Sequence, residues 1–321
     1  MRIVFCGTPE FAVPTLKHLL AEPDFQIVGV VTQPDRPRGR GMHVSASPVK
    51  QLAAEAGLNV LQPEKIRAPE IEEKLRSLRP DAIVIIAYGQ IIPARLLAIP
   101  RHGWINLHAS LLPKYRGAAP IQWAIANGAT DSGLTTMRID AGMDTGEILL
   151  QKQIAIGPKE TTPQVAARMA DDGAPLMAET LRALAAEKLQ PRAQKHDEAT
   201  YAPLLKKEDG RIDWTQPAQQ IFNRMRAFTP WPGAFTTFRG RTVQLWGEPV
   251  PQELGAALPG KPAQQAAPGT IRADAQGLFI TCGEATELRI LSVKREGAKS
   301  VNTMEFLRGV RVTDGERFGN S

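Results

Sequence analysis

The chain has 321 residues, 43% hydrophobic and 22% charged, with a formal net charge of +6: enough for two domains with sizeable cores, and mildly suited to a polyanionic partner. Its two cysteines, Cys6 and Cys282, form no CxxC pair and its five histidines show no HExxH spacing, which argues against a disulfide framework and leaves a protein-bound metal without support. The N-terminus lacks the apolar region of a signal peptide, and no stretch approaches the roughly 18 apolar residues of a membrane span, so a cytoplasmic protein with no membrane partner is expected.

Short apolar runs alternate with helical patterns over the first third of the chain. Ile3 to Cys6 reads as a buried strand, followed by Gly7-Thr8-Pro9, and Phe11 to Leu20 has helical spacing. Ile27 to Thr32 is a second strand, Pro48 to Ala56 a helix ended by Gly57, Asn59 to Leu61 a short strand and Ile71 to Leu78 a helix. Asp81 to Ala87 is a continuous apolar run, as expected for a strand buried on both faces, and Trp104 to Leu107 is another. This order predicts an α/β fold with a doubly wound, mostly parallel sheet, whose ligands bind outside the carboxyl ends of the strands. Gly7-Thr8-Pro9-Glu10 lacks the rest of a GxGxxG fingerprint, and Pro9 has no N–H to donate, so a dinucleotide is not expected.

Thr162 to Lys188 is Ala-rich and helical, with a break expected at Gly173 to Pro175. The first domain is expected over 1–189, a polar linker over 190–207 and a second domain over 208–321. In the second domain strand-like runs dominate: Ala234 to Phe238, Thr242 to Trp246, Gly269 to Arg272, Leu278 to Cys282 and Glu287 to Val293. Several short strands without long intervening helices predict a small β-barrel, OB-like. Phe228 to Ala234 reads as a rigid turn with a packed Trp231, and Pro249 to Pro268 as a surface loop.

Two stretches carry chemistry. In Trp104 to Gly117, WINLHASLLPKYRG, a buried strand ends at Asn106 and His108. Side chains at i and i+2 share one face of a strand. An amide that donates to oxygen and an imidazole that exchanges protons near neutral pH therefore face one side of the sheet edge. The second stretch is Asp140 to Gly146, DAGMDTG, where glycines permit a tight turn and two carboxylates could face a ligand. Each alone is weak, since strand-end amides and Asp-Gly loops are usually structural.

Together, Asn-x-His-x-Ser-Leu-Leu-Pro-x-Tyr-Arg-Gly followed by Asp-x-Gly-x-Asp-Thr-Gly resembles the folate-dependent formyltransferase family. FCGTPEFA at the start, AYGQIIP at Ala87 to Pro93 and RGAAPIQWAI extend the resemblance over essentially the whole chain. It is nearest to the members that act on initiator methionyl-tRNA. It implies 10-formyltetrahydrofolate as co-substrate, no metal, and a monomer. Asn106 and His108 would surround the tetrahedral oxyanion, as donors should where charge develops. Asp144 would stand beside His108 and help take the proton from the amine, directly or through water. Ser110, Leu111, Leu112 and Pro113 look like the family's folate-contacting turn, with a cis Leu112-Pro113 bond, and the pteridine would lie near Tyr88 and Gly89 and near Asp140 to Met143.

Thr32 to Lys50, TQPDRPRGRGMHVSASPVK, resembles the family's insertion onto the tRNA acceptor arm, with Arg36, Arg38 and Arg40 as tRNA contacts. Met42-His43-Val44 stand where the family often has lysines, which weakens the loop's electrostatic grip. The alternative is a sugar-nucleotide (amino-sugar) formyltransferase, which would share Asn106, His108 and Asp144 and lack this loop.

Overall fold

The computed structural model describes residues 1–38, 43–251, 266–313 and 315–319. The chain forms two compact units. Unit 1 is Met1–Ile121, Asp131–Ala155 and Gln164–Pro203; unit 2 is Gln122–Thr130, Ile156–Pro163 and Leu204–Ser321.

In chain order the first part runs β1 (Arg2–Gly7), α1 (Val13–Ala21), β2 (Gln26–Val31), β3 (Arg36–Arg38), β4 (His43–Ser45), α2 (Pro48–Glu55) and β5 (Val60–Leu61). It continues α3 (Pro69–Ser77), β6 (Ala82–Ile86), α4 (Ala94–Leu97), β7 (Trp104–His108), α5 (Pro120–Ala126), β8 (Asp131–Arg138), β9 (Ile148–Ala155) and α6 (Thr162–Ala185). Seven strands make one sheet in the order β5-β2-β1-β6-β7-β8-β9. Pairing is parallel from β5 to β7 and antiparallel from β7 to β9, so the sheet is mostly parallel and Rossmann-like. All five residues of β6 are buried, which is why AIVII needs no polar face. Ser47 caps α2 by accepting from the Lys50 N–H at 3.1 Å, with Pro48 pre-set for the first turn.

Two features depart from the pattern read in the sequence. α6 runs unbroken through Gly173 and Pro175. Gly173 lets the helix approach β7 closely, since a Cβ there would lie 2.5 Å from Leu107 Cδ2. Pro175 is exposed, as is Asp171 one turn before it, the residue whose carbonyl a proline cannot reach with an N–H. Segment 190–203, expected as linker, is fixed to unit 1. Arg192 and Ile148 exchange backbone hydrogen bonds of 2.9 and 2.8 Å, and Arg116 pairs with Thr200 and Ala202 at 2.8 and 2.7 Å.

Unit 2 contains α7 (Ala218–Ala227), β10 (Phe235–Phe238), β11 (Arg241–Pro249), β12 (Ile271–Asp274), β13 (Gly277–Thr281), β14 (Glu287–Arg295), β15 (Val301–Asn302) and α8 (Thr303–Gly309). Its antiparallel sheet has the order β10-β11-β14-β13-β12, with β15 on β14. Residues 252–265, most of the expected surface loop, lie outside the described residues. The segments 122–130 and 156–163 belong here for physical reasons. Trp123 meets Phe228 edge-on at 5.7 Å, and the Thr162 hydroxyl donates to the Ala227 carbonyl at 2.6 Å. Buried Arg226 needs acceptors, and finds the carbonyls of Gly157 and Glu160 at 3.2 and 3.1 Å. Phe228 is the packed aromatic of its turn; Trp231 is 56% exposed.

The C-terminal tail bridges the two ends of this sheet. Gly319 N–H donates to Thr237 of β10 at 2.9 Å, Phe318 N–H to Gly269 at 2.9 Å, and the Ile271 N–H of β12 to Glu316 at 2.7 Å. Phe318 is buried and stacks on Trp214 at 5.9 Å. Phe318→Ala is therefore expected to cost about 3–5 kcal/mol, the usual loss for a buried phenylalanine. Denaturant unfolding followed by tryptophan fluorescence reads this loss; an unchanged midpoint would show that the tail adds nothing to the core.

Candidate active site

The parallel strands β1, β2, β6 and β7 end at one edge of the first sheet. β7 brings Asn106 and His108 to that edge on one face. The Asn106 side chain is half-buried, and its amide has no hydrogen-bond partner among the described residues. His108 is 6% exposed and its Nε2 lies 2.9 Å from the Tyr115 carbonyl. A carbonyl only accepts, so Nε2 carries a hydrogen and Nδ1 is the nitrogen free to gain or lose one. Nδ1 faces Asp144 Oδ2 at 3.7 Å, a charge contact too long for a hydrogen bond.

Asp144 reaches His108 from the loop between β8 and β9. Asp140 folds that loop by accepting from Gly142 N–H at 3.0 Å and from the Thr145 hydroxyl at 2.7 Å. Gly146 packs so closely that a Cβ would lie 1.9 Å from the Arg138 carbonyl. Asp144 itself adopts φ +53°, a left-handed conformation that Asp tolerates better than most side chains. Its Oδ2 accepts from Gly117 N–H at 2.8 Å.

The loop after β7 is held by Tyr115 and Arg116 of the motif, through partners that the sequence did not advertise. Tyr115 takes φ +57°, unusual for a bulky residue, and its N–H donates to the Thr200 hydroxyl at 2.8 Å. This fixes the carbonyl that orients His108. Arg116 is 3% exposed and donates from Nε and Nη2 to Gln194 Oε1 at 3.1 and 2.6 Å. A buried arginine within a motif signals a hidden acceptor, but nothing marks Gln194 in a polar segment without period.

The family model described as formyl transferase matches residues 1–181, and the formyl transferase C-terminal domain matches residues 204–311. A methionyl-tRNA formyltransferase from Solibacter usitatus is 50% identical over 319 residues, 99% of this chain and 99% of that one. The chain belongs to the formyl transferase family. A methionyl-tRNA formyltransferase from Geobacter metallireducens is 48% identical, over 100% of this chain and 99% of the relative. Among solved structures, an N-formyltransferase from Helicobacter canadensis, in complex with folinic acid and dTDP-3-aminofucose, is 17% identical. It covers 93% of this chain and 99% of its own, with a TM-score of 0.61, a likeness of fold.

In this formyl transferase the residues expected around a folate divide into two kinds. The Leu112-Pro113 bond is cis. Ser110 is fully buried and its hydroxyl donates to the Lys114 carbonyl at 2.6 Å, so it shapes its own turn. Leu112 packs with Met137 and Ile148, while Leu111 and Pro113 stay half-exposed. The Tyr88 ring turns into the core, where burial pushes its phenol pKa up. The backbone turns at Ala87 to Gly89, with Ala87 at φ +46°, Gly89 at φ +86°, and the Tyr88 carbonyl accepting from Gln33 at 3.0 Å.

The basic loop is a β3–β4 hairpin in register Arg36↔Ser45 and Arg38↔His43. Its base is anchored: Asp35 accepts from Lys50 and from Gln62, and those bonds hold its carboxyl below the usual carboxylate range. Arg36 is exposed; Arg40 lies outside the described residues, as does the Arg38 side chain. No helix among the described residues is long and apolar enough to cross a membrane, and no cluster of three metal-ligating side chains occurs among them.

Proposed function

We propose that this chain transfers the formyl group of 10-formyltetrahydrofolate to the α-amino group of methionine on initiator tRNA, in the cytoplasm, for translation initiation. The observation that carries the reading is the match to methionyl-tRNA formyltransferases over the whole chain, C-terminal domain included. The free amide of Asn106 beside a His108–Asp144 pair gives that reading its chemistry.

The amine nitrogen attacks the formyl carbon, a C–N bond forms, and the carbonyl electron pair moves onto oxygen. Asn106 donates to that oxygen, joined by His108 when Nδ1 also carries a proton. Asp144 takes a proton from the attacking amine, directly or through one water. Collapse breaks the bond to N10 of the folate, which leaves with a proton returned by the same pair. Formyl transfer to charged initiator tRNA, run beside an amino-sugar nucleotide, tests this. Formyl-methionyl-tRNA is the expected product; formylation of the sugar alone would reverse the assignment.

Arg36, Arg38 and Arg40 would meet phosphates of the acceptor arm, since a guanidinium fork matches phosphate geometry. Arg36→Ala with Arg38→Ala is expected to weaken tRNA use and leave folate binding intact. It should flatten the salt dependence by about one unit of log–log slope per lost phosphate contact. kcat/KM for charged tRNA at several salt concentrations measures this, and an unchanged rate and slope would make the hairpin a bystander.

A further inference from the structure

We infer that Gln194, backed by Arg116, is a positioning residue that holds Asp144 in its working orientation; this rests on the reading of Asp144 as the proton-transfer group. Gln194 is 6% exposed and uses its whole amide. Nε2 donates to the carbonyls of Asp144 and Gly146, both at 2.8 Å, so the two bonds bracket the turn at Thr145. Oε1 accepts both bonds from Arg116. The amide can face only one way, because a flip would set its oxygen against two carbonyls and its NH2 against a guanidinium.

Asp144 needs such a hold. Its left-handed backbone is unfavourable for a residue with a side chain and persists only where neighbours over-determine it. Gly117 N–H grips the carboxylate and Gln194 grips the backbone carbonyl, so the residue is fixed at both ends. Without the second grip the peptide can relax and swing Oδ2 away from His108. Arg116 is 3% exposed and pairs with no carboxylate among the described residues; its other partner is His196 Nδ1, 3.2 Å from Nη2. Its charge behind Gln194 polarises the amide and strengthens the two bonds it donates.

Gln194→Glu in the full-length protein, made with and without Asp144→Asn, separates support from structure. Glu still accepts from Arg116, and supplies that buried cation with a carboxylate, but donates nothing to Asp144 or Gly146. Its second oxygen faces those two carbonyls, so a lower melting temperature is expected, but with an unchanged KM for the formyl-folate, while kcat falls about 10²-fold, as a misplacement of about 1 Å would cause. In an Asp144→Asn background the same change should cost nothing further. Wild-type kcat in Q194E, or an equal loss in both backgrounds, overturns the inference while leaving the role of Asp144 standing. Wild-type kcat in D144N overturns that role, and the inference with it. Should Q194E fail to fold, Arg116→Lys keeps the charge and loses the fork. It should lower kcat with KM unchanged and show the same non-additivity with D144N; unchanged kcat there overturns the inference.

Discussion

Asp144→Asn is expected to slow formyl transfer by about 10²–10⁴-fold, the range for loss of an acid–base group, with the fold intact. The substitution is nearly isosteric. Asn can still accept from Gly117 N–H, which meets Asp144 Oδ2 at 2.8 Å, and its backbone keeps the bond from Gln194. What disappears is the charge facing His108 Nδ1 at 3.7 Å and the capacity to take a proton. Single-turnover formylation of charged initiator tRNA isolates the chemical step from product release. A near-normal rate would remove Asp144 from proton transfer.

Asn106→Ala is expected to lower kcat by about 10²–10³-fold, the usual consequence of losing one donor to a developing oxyanion. The companion expectation concerns stability. The Asn106 amide bonds to no described residue, so removing it breaks no hydrogen bond of the folded chain. Its melting temperature should stay close to wild type, unlike that of Phe318→Ala. A large drop in stability with a proportionate drop in rate would mean that Asn106 serves the fold rather than the reaction.

Much of this architecture is written locally. Ala82–Ile86 reads as a two-sided strand because every residue is apolar, and Asn106 with His108 reads as a shared face because strand period is two. β8 and β9 escaped notice for a physical reason. Thr135 and Thr136 are fully buried and look polar in sequence, but their hydroxyls are paired with Ser110 at 2.7 Å and Thr180 at 2.8 Å. α7 hides in the same way, since Asn223 and Arg226 sit inside, bonded to each other at 3.1 Å. The approach of Asp144 to His108 depends on a loop folding back across many residues, and the part played by Gln194 depends on where 190–203 is pinned. Spacing in a sequence encodes neither distance.

Unit 2 is built from stretches of chain that are made at very different times. Residues 122–130 and 156–163 leave the ribosome well before Leu204 to Ser321, a stretch that takes roughly 6–24 s to synthesise at about 5–20 residues per second. Unit 1 is complete in sequence once Pro203 emerges, and can close its sheet then. Trp123 must wait for Phe228, and the Thr162 hydroxyl for the Ala227 carbonyl. A nascent chain halted at that point would hold a finished sheet while two orphaned segments stood open to chaperones and proteases. A cut at Pro203 would likewise leave two fragments, of which the second lacks two segments of its own unit.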